Sequence, residues 1–197
     1  MDERLLIRAL INNPPASIVT AEPDQMPEDK GAIFEPEENC IYVRKGMNAQ
    51  EIFQCLTPEL ALAGFADGDP EYDRNEDAFH AYCASYMLCK KYGIDTQAYD
   101  FSYAPAFLEG MEPQEVRAEL SKAREAANTI SSRMAKVFEQ NRMNQRQQEQ
   151  TGQNREEGRN RENGPEREIG QNQTHMQVRE PGQPRGNWQR REAAQER

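Results

Sequence analysis

Apolar residues recur at helical spacing, at alternating spacing and then scarcely at all along this chain, and the changes of spacing mark its elements. Leu5, Leu6, Ala9 and Leu10 fall on one face between Asp2 and Ile11, and Asn12-Asn13-Pro14-Pro15 ends that pattern. This predicts a short opening helix, although the same stretch also suits the remnant of a linker from a longer precursor. Ala16 to Thr20 is short and β-branched, a strand, and Glu22 to Lys30, with Pro23 and Pro27, is a loop. Ala32 to Phe34 and Cys40 to Arg44 flank Glu35-Pro36-Glu37-Glu38-Asn39, which predicts a β-hairpin.

The pattern then becomes helical. Asn48 followed by Glu51 makes an N-cap with its capping partner, and Ile52, Phe53, Leu56, Leu60 and Ala63 form one apolar face. Pro58 interrupts that face: it offers no amide to the carbonyl of Gln54 and crowds it, at a cost of about 3 kcal/mol in a helix interior. The sequence therefore predicts a break, with Thr57 as a fresh N-cap and Pro58 at the first helical position. The next helix runs from about Asn75 to Tyr92, with Phe79, Tyr82, Cys83, Tyr86 and Met87 as its stripe and Gly93 as its stop. Asp95 to Pro105 is a connection whose Tyr99, Phe101 and Tyr103 are expected to pack as core. Pro113 opens a last helix with Val116, Leu120, Ala123, Ala127, Ile130, Met134 and Val137 on its packing face, ending near Phe138.

From Glu139 onward the only sizeable apolar residues are Met143, Ile169, Met176, Val178 and Trp188. Such a segment buries too little apolar area to offset the entropy of ordering its backbone, so residues 139–197 are expected to be a disordered tail rich in Gln, Asn, Arg and Glu. Residues 1–138 then make one α+β domain, a short antiparallel sheet packed on helices. The 197-residue chain has a net charge of −10. Its tail, with 11 Arg and 10 Asp and Glu, is near neutral, which leaves −11 on the folded part. A surface of that sign repels phosphate backbones, so nucleic acid is not an expected partner except through the tail.

No run approaches the roughly 18 apolar residues of a membrane span, and the N-terminus has no signal-like apolar core. Cys40, Cys55, Cys83 and Cys89 lack C-x-x-C spacing. A cytoplasmic protein with reduced thiols is the reading that follows.

Strand, turn, strand and capped helix between Gly31 and Phe65 have the layout of a zinc-peptidase site. In H-E-x-x-H two imidazoles four residues apart reach one zinc while the intervening carboxylate polarises its water. Here those five positions read Pro58-Glu59-Leu60-Ala61-Leu62. Glu59 is the candidate general base, and both first ligands are missing. A substitute metal set can be drawn from Cys55, Glu76, His80 and Cys83. Each of these, like Glu59 and Asp77, also has a plainer role: the cysteines as small buried hydrophobes, His80 as a solvated or hydrogen-bonded side chain, and Glu59, Glu76 and Asp77 as carboxylates near helix N-termini.

The segments FEPEENCIYVRKGMNAQEIFQCLTPELALAGF and NEDAFHAYCASYMLCKKYGIDTQAYDFSYAP resemble the metallopeptidase domain of antirestriction and LtrC-like proteins of bacterial mobile elements, a relative of the ImmA/IrrE peptidases. The similarity covers roughly Ala16 to Phe138. It implies a small zincin-like domain in which Glu59 matches the catalytic glutamate, Pro58 and Leu62 replace the ligand histidines, and one of Glu76, Asp77 or His80 falls near the third, acidic ligand. Three expectations follow. The first is a catalytically degenerate domain without cofactor that binds a protein or peptide. The second is an active zinc peptidase using Glu59 with Glu76, His80 and a cysteine. The third is a nucleic-acid accessory protein of a mobile element acting through the tail.

Overall fold

The computed structural model describes residues 2–162. The chain forms two units, Met1–Asn154 and Arg155–Arg197, and the packing described below belongs to the first. In chain order the elements are α1 (Glu3–Leu10), β1 (Ser17–Ala21), β2 (Ala32–Glu35), β3 (Cys40–Arg44), α2 (Ala49–Ala66), α3 (Arg74–Tyr92), α4 (Ala104–Phe107) and α5 (Pro113–Glu162). The fold class is α+β, as expected from the sequence.

The sheet departs from the antiparallel expectation. Its order is β1-β3-β2; β2 and β3 form the predicted hairpin, with Phe34 opposite Ile41, but β1 runs parallel to β3. The reason lies in the side chains of β3. Cys40, Ile41 and Val43 are buried, whereas β1 keeps Val19 46% exposed. The most apolar strand takes the centre, and the loop of residues 22–31 gives the chain room to cross before the hairpin forms.

Helix α2 begins with the predicted capping box, Asn48 and Glu51 each bonding the other's amide. It then runs unbroken through Pro58, so the expected break is absent. Phe53, Leu56 and Leu60 are essentially inaccessible on one face. At about 1.5–3 kcal/mol for each fully buried side chain, their joint burial outweighs a proline cost of about 3 kcal/mol. Thr57 does not cap a second helix. Its buried hydroxyl donates back to the Phe53 carbonyl (2.9 Å) and lies 2.6 Å from Ser85 Oγ on α3.

Helix α3 starts at the Asp73 cap and stops at Gly93, whose φ of +73° is the left-handed conformation that favours glycine. Tyr99 Oη bonds Ser85 Oγ (2.6 Å), and Tyr82 and Tyr86 stack edgewise or tilted against Tyr99 and Phe101, so these two aromatics pack as expected. Tyr103 does not join the core; it is 44% exposed. Helix α5 continues to Glu162, well past Phe138 where its packing face ends. Gln, Arg and Glu have good helix propensity, and no proline occurs between Pro113 and Pro165. The helix thus extends past residue 139, where the tail was expected to begin, to Glu162; residues 163–197 lie outside the described residues.

One core joins α1, the sheet, α2, α3 and α5 through Leu10, Ile41, Phe53, Leu56, Leu88 and Met134. A smaller cluster of Phe79, Cys83 and Ala123 sits between α3 and α5.

Candidate functional site

Glu59 lies on α2 where that helix packs against β2, and it is only 6% exposed. A carboxylate so buried must find donors. Its Oε2 accepts from the Phe34 amide (2.7 Å), and Arg74 Nη2 reaches both oxygens (2.7 and 2.9 Å). Arg74 Nη1 also donates to the Phe34 carbonyl (3.3 Å). The pair therefore ties α2 to β2 and to the first turn of α3. Tyr72 packs edge-on to Phe34, and its hydroxyl is buried without a partner; burial is the main cause pushing this phenol up to about 12.

The positions flanking Glu59 carry no metal donor. Leu62 is part of the core, and Pro58 faces a cavity of about 190 Å³ shared with Cys55, Ser85 and Tyr99. Cys55 is half-buried beside Gly31, where any side chain would run into its sulfur. Desolvation raises the thiols of both Cys55 and Cys83 above the ordinary value. They are held in the neutral form, which is the weaker ligand and nucleophile.

His80 is 3% exposed on α3. Its Nε2 bonds Glu119 of α5, and its Nδ1 lies 3.5 Å from Asp77 Oδ1, beyond good hydrogen-bond range. Asp77 Oδ1 is closer to Lys122 Nζ, at 2.5 Å. The rings of Phe65, Phe79 and Phe107 stand edge-on around the imidazole at 6.0–6.2 Å. The fold thus assembles Asp77, His80, Glu119 and Lys122 into one cluster, and Glu59 with Arg74 into another. Glu76 is exposed and belongs to neither.

These residues do not fit a zinc site. The Glu59 carboxylate is engaged by Arg74 and a backbone amide, the Nε2 of His80 by Glu119, and among the described residues no three His, Cys, Asp or Glu side chains are grouped so as to hold a metal ion. Arg74, Glu119 and Lys122 were not singled out by the sequence. Arg74 carried a usable signal: it is the sole Lys or Arg between Lys45 and Lys90, and an isolated cation in an acidic stretch is a natural partner for a buried carboxylate. Comparisons with family models, curated proteins and solved structures give no match for this chain.

Proposed function

We propose that this chain is a metallopeptidase-like domain that has lost its metal and acts by binding another protein. The observation that carries the reading is the state of Glu59. It occupies the helix position that a catalytic glutamate takes in the resembling family, after a hairpin and before a second packed helix, but its carboxylate serves an internal ion pair. A general base needs a free lone pair facing a water, and this one has both oxygens bonded to Arg74.

Binding is supported by a groove of about 780 Å³ between α3, α4 and α5, floored by Phe79, Met87 and Ala123 and walled by Tyr86, Phe101 and Leu120, the last 46% exposed. Arg117 and Arg124 stand on its rim, and neither forms an ion pair among the described residues. Two unpaired cations beside an apolar floor, in a domain that is otherwise strongly acidic, match an amphipathic helix with acidic flanks.

Zinc content of untagged protein tests the loss of metal: less than about one zinc per ten chains is expected. Near-stoichiometric zinc that disappears on Glu76→Ala with His80→Ala overturns the reading. Pro58→His combined with Leu62→His tests the ancestry. The double variant is expected to gain a zinc-binding unit, and a folded double variant that takes up no zinc means that the motif helix or the third ligand has been misplaced.

A further inference from the structure

A cavity of about 480 Å³ lies between α2 and α5, closed at one end by the Asn13-Pro14-Pro15 turn. Its floor is apolar, with Leu60 and Ile130 buried to within 2% of full inaccessibility. Arg133 lines one wall. Its Nη1 donates to the carbonyl of Asn13 (2.7 Å), a residue held at φ +47°, while its Nε is buried and has no acceptor among the described residues.

This leaves Nη2 of the guanidinium without an acceptor among the described residues, beside an Nε that is buried without one. Burial lowers the Arg133 pKa below its ordinary value, as expected where a charge lacks compensation. The other cation on the wall is committed elsewhere: Lys122 pairs with Asp77 and lies over the Phe65 ring at 5.2 Å. Asp67 and Glu125 line the cavity as exposed residues and disfavour a doubly charged anion. The α2 wall is open at Gly64, where a β-carbon would meet nothing within 4 Å.

We infer that this cavity is a binding site for a monocarboxylate with an apolar body, its carboxylate on Nη2 of Arg133 and its apolar part against Leu60, Phe65 and Ile130. The ligand is either a small free acid or the C-terminal residue of a peptide chain. The site shares no polar group with the Glu59 pair, so it stands or falls independently of the peptidase-derived reading.

Calorimetric titration of the full chain with N-acetyl-leucine, N-acetyl-leucine amide and a hexapeptide ending in leucine tests it. The acid is expected to bind saturably, about tenfold or more tightly than the amide, and Arg133→Gln is expected to erase that preference. Because Arg133 also anchors Asn13, a second variant is needed. Gly64→Leu fills the cavity, breaks no bond and replaces a poor helix former, so it should abolish binding while thermal stability holds or rises. A peptide about tenfold tighter than the free acid identifies a chain terminus as the ligand; equal affinity identifies a small acid. Equal binding of acid and amide, no saturable binding, or unchanged binding in Gly64→Leu overturns the site.

Discussion

Two buried clusters of charged side chains in this domain are built to different tolerances. Around Glu59 each carboxylate oxygen has a donor within 2.9 Å, and the partner arginine is itself fixed to the Phe34 carbonyl. Around His80 the bonds are uneven. One ring nitrogen is bonded to Glu119, while the other lies 3.5 Å from an aspartate oxygen that is drawn toward Lys122 instead. The first arrangement resists change because removing Arg74 strands the buried Glu59 carboxylate. The second has slack, since Lys122 and Glu119 are partly solvated and water can replace either.

The most severe test of this contrast is Arg74→Ala. It leaves Glu59 with only the Phe34 amide and should cost about 2–4 kcal/mol in urea unfolding, below the full buried-pair penalty because Arg74 is 37% exposed. Pairing it with Glu59→Gln in a double-mutant cycle should return a coupling of at least about 1 kcal/mol, and additivity would dissolve the first cluster as a unit. His80→Gln should cost less, about 1–2 kcal/mol, by losing the Glu119 bond. A loss as large as that of Arg74→Ala would reverse the comparison.

Lys122→Met should cost under about 1 kcal/mol, because the lysine side chain is nearly half exposed. The smallest effect at neutral pH belongs to Tyr72→Phe, which removes a hydroxyl with no partner and should leave stability level or slightly higher. Its signature is alkaline. With the folded phenol raised to about 12 from an ordinary 10, the unfolded chain releases this proton first. The wild type therefore loses stability between those values as pH rises, and the variant is spared that share. Parallel pH profiles for the two proteins would refute the assignment.

How far these clusters could be foreseen differs by residue. Local signals were reliable where the chain speaks to itself: the Asn48–Glu51 box, the Gly93 stop and the turn between β2 and β3 each join residues close in sequence. The same signals misjudged Pro58, because a local rule prices the lost amide but not the burial of Phe53, Leu56 and Leu60 against other elements. They also missed that β1 would lie parallel to β3, a pairing decided by which strand is apolar enough to sit centrally. Glu59 and His80 were identifiable as residues worth attention, yet their roles depend on Arg74, Glu119 and Lys122. Two of these three lie about 40 positions along the chain from the histidine cluster's other half.

The bonding of Phe34 carries a consequence for how this protein meets copies of itself. β2 is one of the two outer strands of the sheet, and strands left open on that side recruit other strands. The backbone groups of Phe34 point away from β3, and both are taken: the amide by a carboxylate and the carbonyl by a guanidinium. Side chains from two helices thus imitate the peptide group of a neighbouring strand and seal the edge.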